Sequence, residues 1–182
     1  MHLTGSLGST PDDRGSARGR LVASVLRPAL AEQRRICLLA GADFPGSDDC
    51  LGRDLSQLTI VVNDPAHAAA LHDRFDHMIV VETEECEAFL LHQARIAERF
   101  DMIIAPDVVE QLSDAGLTAM LAAMTACLRP GGRVTLIASP LGSPPGRSFA
   151  DIAKLVENNA KCHELTCQTC DSMLLVEMTF NA

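Results

Sequence analysis

The period of apolar positions changes repeatedly along this chain, and each change marks an element. Leu21, Val22, Val25, Leu26, Leu30 and Ala31 recur at three- and four-residue spacing, which is one face of a helix; Pro28 falls inside that pattern, where it kinks or splits a helix. Residues 36–40 (ICLLA), 58–62 (LTIVV), 78–81 (MIVV), 101–105 (DMIIA) and 134–138 (VTLIA) are short and apolar without alternation. Such runs predict parallel strands covered on both faces. Helices are expected between them. One spans residues 66–75, and the next places Cys86, Phe89, Leu90, Ala94, Ala97 and Phe100 inward. A third carries Leu117, Met120, Leu121, Met124, Cys127 and Leu128 on one face, with Ser113 as its N-cap and Pro130-Gly131-Gly132 as its stop.

The remainder follows the same logic. Residues 47–55 allow only a short helix, broken by Gly52. Residues 141–147 (LGSPPGR) form a turn-rich loop, and Phe149, Ile152, Leu155, Val156 and Ala160 make a helix face. Residues 162–169 and 172–180 read as two strands joined tightly at Cys170-Asp171. Residues 1–16, rich in Gly, Ser, Asp and Arg, read as a flexible tail, and residues 17–182 as a single domain. Strand, helix and strand over residues 100–139 make a right-handed crossover unit.

Composition narrows the function. With 182 residues, 47% hydrophobic and 21% charged, the chain supports one sizeable core. A net charge of −9 argues against a dedicated nucleic-acid binder, which would show a basic face. No apolar run reaches the roughly 20 residues that span a bilayer. The N-terminus has no apolar signal-peptide core, and the seven cysteines then read as reduced thiols of a cytoplasmic protein. Trp and Tyr are absent, so stacking on a flat ligand falls to Phe or His. The cluster CHELTCQTC invites a zinc reading. On a strand, however, Cys162 and Cys167 point to opposite faces, and no second C-x-x-C pair exists. Buried or half-buried thiols, and no metal, are expected.

Three segments carry a resemblance: Phe100-Asp101-Met102-Ile103, Val109-Glu110-Gln111-Leu112, and Leu128-Arg129-Pro130-Gly131-Gly132. Together they resemble the fourth strand, the following "vLehL" segment and the "LrPGG" turn of class I S-adenosylmethionine (SAM)-dependent methyltransferases. The closest likeness is to the small, type 11-like ones with a bare Rossmann-like core. The resemblance implies an α/β three-layer sandwich. Its mostly parallel seven-stranded sheet would end in an antiparallel hairpin. The missing G-x-G-x-x-G after the first strand argues against a nicotinamide cofactor.

The resemblance also implies a site at the carboxyl ends of the strands, with SAM as cofactor. Gly41 stands where the family has the first glycine of its loop; close backbone approach to the ligand requires glycine there. The rest of that motif is degenerate: Leu39 holds the place of an acid, Asp43 and Pro45 stand where Gly is expected, and Gly46 is one place late. Asp43 either supplies the missing carboxylate or is an ordinary loop residue. Asn63 or Asp64, depending on a one-residue register choice, holds the place of the ribose-binding acid; Asp64-Pro65 also suits a helix start. Glu82 or Glu84 holds the place of the adenine-contacting acid, or simply favours a helix N-terminus. Pro106 and Asp107 form the tip that faces the methyl group, and Asp107 is the candidate base or acceptor-orienting residue, or a solvated loop residue. The implied function is methyl transfer to a small-molecule or protein acceptor, with no nucleic-acid or membrane partner. No inserted lid is evident, so either the acceptor is large or a protein partner completes the acceptor pocket. The rival reading is a non-catalytic binding or scaffold protein that has kept the fold.

Overall fold

The computed structural model describes residues 11–41, 53–75, 79–82, 86–97, 99–106, 108–139, 148–159, 162–170 and 173–180. Asp43, Pro45, Gly46, Glu84, Asp107, the loop at 140–147 and most of 47–55 lie outside the described residues.

The chain runs α1 (Pro11–Ala31), β1 (Ile36–Gly41), β2 (Leu58–Val62), α2 (Pro65–Arg74), β3 (Ile79–Glu82), α3 (Cys86–Arg95), β4 (Phe100–Pro106), α4 (Val108–Gln111), α5 (Asp114–Ala126), β5 (Leu128–Ala138), α6 (Phe149–Asn159), β6 (Glu164–Cys170) and β7 (Met173–Thr179). Among the described residues the strands form one sheet in the order β3-β2-β1-β4-β5-β7-β6. The pairs from β3 to β5 are parallel. β7 runs antiparallel to both β5 and β6. Strand order reverses direction at β1, which makes the β1–β4 boundary a topological switch point.

Burial explains why the apolar runs became strands. Leu58 to Val62 are all buried, as are Met102 to Pro106. Odd and even positions then divide between two cores. Leu38, Ile60, Met102, Ile104 and Ile137 pack under Leu21, Val22, Val25 and Leu26 of α1 and Leu71 of α2. Cys37, Leu39, Val61, Ile103, Val134 and Leu136 pack under Leu90 of α3, Leu117, Leu121 and Met124 of α5, and Ile152 and Val156 of α6. The result is helix, sheet, helix: three layers around two cores.

Four local expectations are corrected. Helix α1 begins at Pro11, so residues 11–16 are helical rather than tail; Pro suits a first helical position because it donates no hydrogen bond there. Pro28 stays inside α1 without splitting it. Pro28 and Ser24, whose carbonyl loses its partner, are both exposed, so the missing bond falls on the solvent side. Helix α3 ends at Arg95; Ala97 takes a positive φ of 59°, and Phe100 opens β4 instead of closing the helix face.

The fourth correction concerns Pro130-Gly131-Gly132. Helix α5 starts on Ser113 as expected, whose hydroxyl accepts from the Gly116 N–H. It ends at Ala126, and Leu128 already belongs to β5. The glycines form an insertion within that strand: the β4–β5 register jumps from Phe100↔Leu128 to Met102↔Arg133. Gly131 takes φ 74°, and a Cβ on Gly132 would lie 2.7 Å from the Arg129 carbonyl oxygen. Phe180 clamps this bulge, donating from its N–H to Gly132 and accepting from Gly131.

Candidate functional site

The register of the sheet brings the predicted strand tips onto one rim. Gly41 pairs with Val62, and Val62 with Glu82, so the ends of β1, β2 and β3 share one row. A bulge at Ala40 makes this possible, because Leu39 pairs with Val61 and Gly41 with Val62. On the other side of β1, Leu38 pairs with Ile104. That pairing ends two residues before Pro106, the last residue of β4. Asn63 follows immediately after the β2 tip.

A cleft of about 150 Å³ opens at this rim, lined by Leu39, Asn63, Cys86, Pro106, Val108, Gln111, Leu112 and Met120. Each wall has a local origin. The last turn of β1 supplies Leu39, which is 2% exposed. The first residue of α3 supplies Cys86, and the short helix α4 supplies Val108 and Gln111. Met120 reaches in from the buried face of α5. The cleft thus lies on the side of the sheet covered by α3 and α5, and not on the α1 side.

Among the described residues this lining carries no charged side chain. Its polar side chains are the amides of Asn63 and Gln111, which can both donate and accept. Burial pushes the Cys86 thiol above its ordinary value. Behind it, burial pushes Cys37 up further, helped by the neighbouring Cys127 and Cys86 sulfurs. The Cys86 sulfur is therefore a thiol, not a thiolate, at neutral pH. The cleft is suited to hold an uncharged, flat or apolar group with a few hydrogen-bonding edges.

Two predicted residues, Asn63 and Pro106, line the cleft. Gly41 and Glu82 end their strands on the same rim. Asp64 sits beside it, exposed, as the N-cap of α2: its Oδ1 accepts from the Ala66 N–H at 2.9 Å, with Pro65 in the first turn. Asp43 and Asp107 lie outside the described residues. Asp101, part of the motif that carried the resemblance, is far from the rim. Near the amino end of β4, its carboxylate accepts from the Arg35 N–H at 2.8 Å and from the Arg129 guanidinium at 3.0 Å.

Sequence reasoning missed the helical walls of the cleft. Met120 and Cys86 were visible only as residues on apolar helix faces, and Gln111 only as part of a segment that carries the resemblance. Glu110 was also missed as a structural centre. One carboxylate oxygen of Glu110 accepts from the Arg18 guanidinium of α1 at 3.0 Å and from the Ser139 N–H just past β5.

The cysteine cluster also departs from expectation. Cys162 is half-buried, but Cys167 and Cys170 are exposed on the edge strand β6. Among the described residues no group of three or more His, Cys, Asp or Glu side chains is placed to hold a metal ion. Among them, too, no helix is long and apolar enough to cross a membrane.

No protein-family model matches the chain. No curated protein matches its sequence. Solved structures do match. The N-methyltransferase NodS from Bradyrhizobium japonicum WM9 superposes with a TM-score of 0.60 at 17% identity, over 91% of this chain and 97% of that one. The glycopeptide N-methyltransferase MtfA, solved with S-adenosylhomocysteine, gives 0.63 at 18% identity, over 97% and 94%. Magnesium protoporphyrin IX methyltransferase from Synechocystis PCC 6803, solved with bound SAM, gives 0.62 at 14% identity, over 97% and 87%. At such identities the likeness is one of architecture: this chain has the Rossmann-like α/β fold of the class I SAM-dependent methyltransferases.

Proposed function

We propose that the rim cleft binds SAM and that the protein transfers its methyl group to a small-molecule or protein acceptor. The observation that carries this reading is the single row of strand tips, Gly41, Val62 and Glu82, with Asn63 and Pro106 opening into one cleft beside it. Strands of this order place ligands outside their carboxyl ends.

The residues fit the cofactor part by part. A volume of about 150 Å³ is below the roughly 300 Å³ of a complete small-molecule site, so the cleft takes only a portion of the ligand. A purine ring is neutral, flat and edged with acceptors and one amino group, which suits apolar walls and two amides. Asp64 uses one carboxylate oxygen to cap α2, and its second oxygen serves a ribose hydroxyl together with Asn63. Glu82 supplies the acceptor for the adenine amino group, Gly41 and Asp43 the approach to the methionine end, and Asp107 orients the acceptor. When bound, the sulfonium would supply its methyl group to the acceptor's lone pair as the carbon–sulfur bond breaks and a neutral thioether leaves, so positioning would provide much of the rate. The setting is cytoplasmic, with a partner completing the acceptor pocket.

One observation favours a second reading, a binding or scaffold protein without catalysis. Leu39 lines the cleft where the methyltransferases it resembles carry an acid. The two readings separate by titration of SAM and S-adenosylhomocysteine, followed by melting temperature. A ligand that binds only the folded form must raise that temperature. A rise with both ligands supports the enzyme; no rise at millimolar ligand removes it and leaves the scaffold.

A further inference from the structure

Glu110 stands where three elements meet. It belongs to α4, whose Val108 and Gln111 line the cleft. One oxygen of its carboxylate, Oε1, takes the Arg18 guanidinium of α1 and the Ser139 N–H at the end of β5. The pair is largely withdrawn from solvent, with Arg18 and Glu110 side chains 20% and 16% exposed. Ser139 is itself buried. Charge-assisted hydrogen bonds in such a setting are stronger and shorter than neutral ones.

The position of this knot gives it a consequence. Ser139 marks the level of the sheet's carboxyl rim, one residue past β5. Arg18 of α1 reaches this level through its guanidinium, and residues 11–17 precede it in the same helix. Residues 92 apart in sequence are joined by one oxygen.

We infer that Glu110 is a positioning residue: through Oε1 it holds α4, the β5 tip and the first half of α1 as one unit, so that α4 keeps the cleft wall in place and ligand occupancy is coupled to the docking of α1. This rests on the proposed reading of the cleft as a SAM site.

Calorimetric titration of S-adenosylhomocysteine into the wild type, Glu110→Ala, Glu110→Gln, Arg18→Met and Glu177→Gln tests it, each at a temperature where the variant is folded. Glu177→Gln is the control, because Glu177 pairs with Arg133 in an ion pair within the β5–β7 ladder, away from the cleft lining. The expected result is that Glu110→Ala weakens binding at least about fivefold, as the loss of a charged hydrogen bond implies. Glu110→Gln, whose amide oxygen still accepts, recovers most of that loss, and Glu177→Gln binds as the wild type does. A Glu110→Ala protein that melts earlier but binds with unchanged affinity overturns the inference and leaves Glu110 a structural residue.

Hydrogen exchange on the ligand-free proteins separates this inference from the reading it rests on. If the wild type fails to bind, the SAM reading falls, and exchange alone decides the coupling. Exchange faster in both α4 and the first half of α1 of Glu110→Ala or Arg18→Met, with β6 and β7 unchanged, supports the unit. Acceleration in only one of the two helices contradicts it.

Discussion

The β4–α5–β5 unit and the rim above it are built from the same chain by different rules. In the unit, Ile103, Ile104, Leu117, Met124, Val134 and Leu136 are all fully buried, and each supports the others. On the rim, Asn63 and Asp64 are exposed. The body is redundant and the rim is not. Loss of one apolar contact in the body is expected to change stability; if the rim binds SAM as proposed, loss of Asn63 is expected to change binding.

Substitutions sharpen this contrast. The largest effect is expected from Ile104→Ala, which removes a fully buried side chain at the centre of β4 and costs about 2–5 kcal/mol. Urea unfolding measures it. A cost below about 1 kcal/mol would mean that the body tolerates cavities it is too densely packed to tolerate. Next comes Gly132→Ala. Its Cβ would press on the Arg129 carbonyl and on Leu128, costing about 1–3 kcal/mol in the same assay.

Asp64 tests the rim, because it does two jobs. Asp64→Ala removes the α2 cap and costs about 1 kcal/mol of stability. Asp64→Ser restores the cap, since a serine hydroxyl accepts the same N–H, and so restores the melting temperature. If the second carboxylate oxygen serves the ribose, both variants weaken S-adenosylhomocysteine binding by about 1–3 kcal/mol. Serine that rescues both stability and affinity would make Asp64 a cap alone.

The smallest effect appears only in alkali. Burial pushes Cys127 from its ordinary 9.0 to about 12, so the folded protein holds that proton longer than the unfolded chain. The associated stability is intact below pH 9 and is lost as pH rises from 9 towards 12. Cys127→Ser should flatten that part of a stability–pH curve; an unchanged slope would show that Cys127 is not its source.

This difference between body and rim also governs what could be read in advance. The strands and most helices were legible because burial repeats: the four apolar residues of LTIVV vote for one structure. The ends were less legible. The helical start at Pro11, the exit at Ala97 and the bulge at Gly131 each depend on one residue's backbone conformation or on contacts made elsewhere. Phe180, for example, clamps the glycine bulge from the far end of the chain. Rim positions such as Asn63 and Pro106 were legible because they follow strand ends. The walls were not, since Cys86, Gln111 and Met120 come together only when helices pack. The Arg18–Glu110 contact had no sequence signal at all, because ion pairing between distant residues has no period.

The central claim is that the aligned tips make a nucleoside site. Calorimetric titration of S-adenosylhomocysteine into the full chain tests it most directly. Saturable binding at one ligand per chain, weakened in Asn63→Ala without a matching loss of stability, is the expected result. No measurable heat at millimolar ligand, with no change in melting temperature, would contradict it.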